Sequence, residues 1–413
     1  MLAAALLLSP AVSCAQDQPP DAEPAMTMMA GQLGRYVMMR DGSGTSWQPD
    51  STPMAGLHWQ SGGWTGMAHG DLYGVWDHQG GPRGDEKGFS ESMLMLMAQH
   101  DAGPGVVTLH GMVSLDPLMG RDGYPLLLQT GETANGVDLL VDRQHPHDAL
   151  MELAAAWSVP LGSRTSAFVY AGYPGEPALG PTAYMHRASG MDDPAAPISH
   201  HWLDSTHVSF GVITAGLVRG PLKLEGSLFN GREPDQRRWG WDRLRLDSWS
   251  GRITLNPSMH WSLQASYGFL KSPEALEPRV DQRRVTASAT WNRPLEGGNW
   301  QTTLAWGRNI FSAGPTLDAV LLESALTLGR HTVFGRAETA QKNELFEPPS
   351  PLAGRVFQVA SFSLGYVYDL PLARHLAVGL GAVGTAYALP ASIKPAYGAS
   401  PASYMGFVRL KIR

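Results

Sequence analysis

A chain of 413 residues has room for two or three soluble domains or for one large barrel. Charged residues make up only 16% of it, against roughly 25% in soluble domains, while 47 glycines and 13 tryptophans favour turns and interfacial belts over helices. A formal charge of -6 gives no sign of nucleic acid or an anionic membrane surface as an electrostatic partner, and no apolar run reaches the roughly 18 residues of a membrane helix.

Met1 to Ala15 predicts a secretory signal, with Leu2 to Leu8 as its apolar region and Ser13-Cys14-Ala15 as small residues at the cleavage positions. A basic leader is missing, since the first positive side chain is Arg35. Cys14 is the only cysteine, and Ala11-Val12-Ser13-Cys14 weakly resembles a lipoprotein box, so Cys14 is either lipidated or removed with the signal. Beyond it neither a disulfide framework nor a thiolate metal site is available. Residues 16–32 read as a flexible, methionine-containing leader with Met26, Met28 and Met29, and 33–413 as a barrel.

From Met54 onward the chain alternates apolar and polar residues in segments long enough to cross a bilayer as tilted strands. The predicted strands are Met54–Gln60, Trp64–Asp77, Glu91–Gln99, Gly105–Leu115, Leu150–Val159, Thr165–Tyr173, Ser205–Val218 and Pro221–Asn230. A hairpin follows from Ser248 to Leu270, with Asn256-Pro257-Ser258 as its turn and Trp249, Ile253, Trp261 and Tyr267 on its apolar face. Then come Arg284–Asn292, Trp300–Arg308, Asp318–Leu328, Thr332–Thr339, Gln358–Leu370, Leu376–Ala388 and Ser403–Ile412. Short turns such as Arg219-Gly220 alternate with long loops such as 117–149, 174–204, 231–246 and 341–357.

That alternation is the signature of an all-β, antiparallel transmembrane barrel with long external loops. A soluble propeller also has many short strands, but no repeated blade motif is present. Turn parity asks for one further upward strand, Leu33–Arg40, which gives 18 strands, with 16 as the alternative. The last segment resembles the C-terminal strand read by barrel assembly machinery, although it ends in Arg413 rather than an aromatic residue.

If the apolar face meets lipid, the opposite residues point inward. Met67, His69 and Asp71, then Met93, Met95 and Met97, then His110 and Met112 would form one inner wall on three neighbouring strands. Thioethers are soft ligands suited to Cu(I), and imidazole suits Cu(II), Zn or Ni. Met93, Met95 and Met97 are flanked by leucines, so a one-residue slip would turn every one of them to lipid. Lys223, Glu225, Arg252, Arg336, Glu338, Arg409 and Lys411 would line a hydrated interior of mixed charge.

Two long loops carry further ligands. His145 and His147 beside Asp148 would project the same way in extended backbone, where one metal could bridge them. The second loop holds Met185-His186, Met191-Asp192-Asp193, His200-His201, Asp204 and His207, placed at an external mouth. The alternative is that these side chains tie the loops together by hydrogen bonds. Of catalytic patterns, only His207 and Ser209 on one strand face loosely resemble outer-membrane phospholipases, whose fuller motif is absent.

Gly44-Thr45-Ser46-Trp47-Gln48-Pro49-Asp50, Asp77 to Gly84, Asp142 to Asp148 and His200 to His207 resemble a family of uncharacterised Gram-negative outer-membrane barrel proteins. The resemblance extends over nearly the whole mature chain and implies an association with copper and other heavy metals. It carries no established ligand or catalytic residue. The expectation is therefore a channel or binding barrel in outer-membrane lipid that handles copper or another soft metal. The alternatives are a general porin-like or structural barrel passing small solutes, and a membrane-embedded lipid hydrolase.

Overall fold

Backbone N–H and C=O groups in lipid must find partners inside the protein, and strands meet that demand only by closing on themselves. The computed structural model describes residues 30–412; the predicted signal, Cys14, the leader methionines and Arg413 lie outside them. In chain order the strands are β1 (Leu57–Ser61), β2 (Trp64–Gln79), β3 (Glu86–Ala102), β4 (Gly105–Val113), β5 (Tyr124–Thr133), β6 (Leu139–Gln144), β7 (Leu150–Pro160), β8 (Thr165–Gly172), β9 (Val212–Arg219) and β10 (Leu222–Phe229). They continue with β11 (Ser248–Ser258), β12 (Trp261–Leu270), β13 (Gln282–Leu295), β14 (Gly298–Phe311), β15 (Thr316–Leu328), β16 (His331–Lys342), β17 (Phe357–Ala373), β18 (Leu376–Ala388) and β19 (Ala402–Ile412).

Every wall strand is antiparallel to its neighbours, and β19 closes the wall onto β2 from Ile412 opposite Gly70 to Ser403 opposite Gln79. Of the 17 strands in this sheet, β1 pairs only with β2, which leaves 16 in the closed wall. β1 occupies the edge of β2 just beyond the end of β19, with Leu57 opposite Ala68 and Ser61 opposite Trp64.

The favoured count of 18 is thus corrected to 16, because Leu33–Arg40 is not a strand and β1, predicted as Met54–Gln60, stands outside the closed wall. It folds locally inside the lumen: Asp41 accepts from the Gln32 amide at 2.8 Å and the Tyr36 hydroxyl at 2.7 Å. Arg40 pairs with Asp50 at 2.6 Å and donates to the Gly220 carbonyl in a short turn. These side chains satisfy the segment without a ladder. In the hairpin, Asn256 to Ser258 belong to β11 as an irregularity between Leu255 and Ser258, and the turn falls at residues 259–260. Pro257 can sit there because a bulge needs no ladder donor.

The inward and outward faces follow the predicted alternation. Leu94 and Leu96 are 39% and 50% exposed toward lipid, whereas Met93, Met95 and Met97 are buried inside.

Three segments fill the lumen: 30–56, 114–149 and 173–211. The second carries the β5–β6 hairpin, so it is an inserted element and not an external loop. Phe89 of the wall stacks on Tyr124 at 4.3 Å, and Lys342 of β16 donates to Gln129 at 3.1 Å. In the third, Arg187 Nε meets Glu323 Oε1 of β15 at 2.6 Å while its Nη1 meets Asp204 at 2.7 Å. Asp193 pairs with Arg336, Asp192 with Arg409, and the Ser199 hydroxyl donates to Glu338 at 2.6 Å. The N-terminal segment offers the Thr45 hydroxyl to Arg252 at 3.0 Å and the Thr45 carbonyl to Lys223.

As a result Lys223, Arg252, Glu225, Arg336, Glu338 and Arg409 are buried. The interior charges are paired as expected and most are buried, while Lys411 stays part-exposed on the lumen.

Two outcomes follow from this packing. Leu96→Arg, near the middle of β3, should destabilise the barrel by about 2–4 kcal/mol, read from urea unfolding in detergent. Gly44 (φ 53°) closes over Glu176 so tightly that a Cβ would stand 2.6 Å from the Glu176 Cβ. Burial pushes the Glu176 carboxyl up to about 8, with Arg252 pulling the other way. A carboxyl raised in the folded state stabilises docking fully below its unfolded value and loses that contribution as pH rises through the folded one. Docking of residues 43–47 should therefore weaken progressively from about pH 4.5 to 8, seen in Trp47 fluorescence, and Glu176→Gln should flatten the profile.

Candidate functional site

Alternation on β2, β3 and β4 turns Met67, His69, Met95, Met97 and His110 to the same inner wall, and the inserted segments close over it. Met54 comes from the N-terminal segment, and Met185, His186 and Met191 come from 173–211. Together they line a cavity of about 150 Å³. The His69 and His186 rings meet edge to face at 5.8 Å. His186 Nε2 and both His110 nitrogens are buried without a hydrogen-bond partner, and the nearest carboxylate to His110, that of Glu152, is 3.8 Å away. Burial, and then His69, pulls the His186 imidazole down to about 3, so it is the neutral form in which imidazole ligates metals.

Met93 faces a smaller cavity of about 30 Å³ with Tyr73, Glu91, Tyr184 and Asp193. The two cavities share Asp71, Met185 and Met191. Met112 packs with Met93, Met95, Met151 and Phe210 and fills space there.

The two loop histidines do not face one common point. His147 Nδ1 lies 2.8 Å from Asp116, and His145 Nε2 lies 3.0 Å from Glu132. Each meets a different partner from the other inserted loop: His147 packs against His207 at 5.2 Å, and His145 against His201 at 6.0 Å. Asp148 pairs with Arg238 at 3.3 Å. His200 and His201 sit on the short helix α1 (His200–Leu203), where His200 Nδ1 meets Asp204 at 2.8 Å.

These contacts form a file through the lumen. His201 touches His200 at 5.6 Å, His200 touches His207 at 5.2 Å, and His207 touches His147. One ligand atom each of His147, Asp116 and Glu91 lies within 4.8 Å of the others, and Glu91 opens on the smaller cavity. Burial holds the His145, His200 and His207 imidazoles below their ordinary range.

The second loop is therefore not at an external mouth; it lies inside, drawn in by the wall charges that its Arg187, Asp192 and Asp193 pair. Residues 205–207 form a 3-10 turn and β9 begins only at Val212, so His207 and Ser209 do not share a strand face. His207 Nδ1 faces the Asp204 carbonyl at 2.8 Å, and the Ser209 hydroxyl donates to the Thr206 carbonyl. That leaves Ser209 without a general base.

Spacing reasoning missed Glu91, Asp116, Glu132, Glu233 and Glu274. They come from distant stretches, and no local pattern marks them as neighbours of histidines.

No protein-family model matches the sequence, and no curated protein matches it. Among solved structures the chain is similar to Pseudomonas putida OprB, with a TM-score of 0.52 and 10% identity, over 84% of this chain and 94% of that one. It is similar to Salmonella typhi OmpF in a complex with daunomycin, with a TM-score of 0.52 and 8% identity, over 86% and 100%. It is also similar to an anion-selective porin from Comamonas acidovorans, with a TM-score of 0.50 and 12% identity, over 84% and 100%. These likenesses lend no support to the copper association implied by the family resemblance. At such identities they are likenesses of fold, and the fold is the barrel of outer-membrane porins.

Proposed function

We propose that this chain is a porin-like channel of a Gram-negative outer membrane, passing a small solute through a lumen that its own inserted segments hold closed at rest. The observation that carries this reading is the buried, paired state of the inward charges on a porin-type wall: Arg187 with Glu323 and Asp204, and Arg409 with Asp192. On this reading its surroundings are outer-membrane lipid, and barrel assembly machinery reads its terminal strand.

A finer reading is favoured by one specific feature, the cavity lined by Met67, Met95, Met97, Met185, His69 and His186. Thioethers and neutral imidazoles offer soft and borderline donors, which suit a monovalent soft ion such as Cu(I), and Asp71 and Lys411 at the same cavity add one charge of each sign. The histidine file would lead from the external side to that cavity. No cofactor beyond the carried ion is needed for such a role, and no catalytic step is assigned.

Planar-bilayer recording tests the channel. The wild-type barrel should show low conductance, and Arg187→Ala should raise it, because removing one partner of a buried pair costs about 3–5 kcal/mol and loosens segment 173–211 from β15. Silence in both proteins would sink the channel reading. For the soft ion, titration calorimetry with Ag(I) should find a site in the wild-type barrel. The variant carrying Met67→Leu, Met95→Leu and Met97→Leu, nearly matched in volume, should bind it at least ten-fold more weakly. Equal binding by both would remove the soft-ion reading and leave the channel standing.

A further inference from the structure

A second convergence of ligands stands at the external end of the histidine file. His201 of α1 meets Glu233 from segment 230–247 and Glu274 from segment 271–281, with one ligand atom of each within 4.8 Å of the others. His201 Nδ1 is 3.0 Å from Glu233 Oε1, and the Glu233 side chain is only 10% exposed. The His201 residue is 7% exposed, and both its Nε2 and the second Glu233 oxygen lack a hydrogen-bond partner. Gly131 (φ 117°) presses its backbone against the ring, since a Cβ there would stand 2.6 Å from His201 Cε1.

Of the basic side chains nearby, Arg284 acts on Glu233 and Glu274 by charge from beyond ion-pair distance. Arg284 donates Nη1 to Ser205 at 3.0 Å and Nε to Asn309 at 3.2 Å, and Arg238 closes on Glu132 and Asp148. Among the described residues, no lysine or arginine forms an ion pair with Glu233 or Glu274. Carboxyl groups crowded in this way repel when ionised, with Arg284 as a counter-charge that makes no ion pair with either, and a bound cation strengthens that balance.

We propose that His201, Glu233 and Glu274 bind a divalent first-row cation of the zinc class, which fastens two external segments to the inserted helix. One imidazole with two carboxylates is a borderline donor set, harder than the thioether cavity within. Zinc bonds of about 2.0–2.2 Å place tetrahedral ligands about 3.5 Å apart, so the existing cluster needs a closure of roughly an ångström. The site shares no residue with the Met/His cavity and does not rest on the soft-ion reading.

The full barrel in detergent, stripped with a chelator, is titrated with Zn²⁺ and its heat stability is followed. Wild-type protein should take up zinc and unfold at a higher temperature with it. Glu233→Gln with Glu274→Gln should weaken uptake at least ten-fold and remove the shift, while the triple Met→Leu variant should keep both. Where the double variant does not fold, Glu274→Gln alone, on a half-buried residue outside the wall, serves as the readout. Zinc uptake unchanged by these substitutions, or no uptake by the wild type, would overturn the site and leave a shared proton as what relieves the crowding.

Discussion

A strand that crosses lipid cannot leave an edge, because each unpaired backbone group there costs several kcal/mol. The pairing of β19 with β2 removes the last edge, and everything inside the barrel follows from that closure. Once the wall is sealed and the membrane-facing part of its outer face is apolar, the polar residues that alternate with that face point to one enclosed space. Arg252, Glu323, Arg336 and Arg409 are charges in that space, and they must be hydrated or paired.

This chain pairs them. Two long connections on the external side and the N-terminal segment turn inward, the one at 173–211 with counter-charges and the other two with neutral hydrogen-bonding groups such as Gln129 and Thr45. Arg187 reaches Glu323, Asp193 reaches Arg336, and Thr45 reaches both Lys223 and Arg252. Buried pairs of this kind add little net stability compared with apolar packing, but they are costly to break one partner at a time. They therefore specify where the inserted segments sit, and they couple any opening of the lumen to the loss of several ion pairs together.

The same insertion arranges donors of different chemistry along the lumen. Carboxylates and imidazole converge near the external segments at His201, Glu233 and Glu274. Imidazoles, each of His200 and His147 with a carboxylate partner, continue through His200, His207 and His147. Thioethers dominate around Met67, Met95 and Met97. Burial keeps most of the imidazoles neutral, which leaves their nitrogens free to accept a cation and adds no repulsion against one.

The primary sequence by itself determined the barrel, the face of each wall strand and the alternation of short and long connections. Those properties are local: period-two alternation decides the face, and turn residues decide the breaks. Even Met93, Met95 and Met97, flanked by leucines, took the predicted side because the polar residues of β2 and β4 set the register of their neighbours. What only the tertiary structure decided is where the long segments go. Leu33–Arg40 alternates too weakly to join the wall and instead meets partners as far away as Gly220. His145 and His147, two residues apart in sequence, part company because their carboxylates, Glu132 and Asp116, lie in different places. Glu233 and Glu274 gain a common histidine only when three separate segments converge over the lumen. Long-range pairing of charges leaves no periodic trace in a sequence, so the wall could be read from the chain and its contents could not.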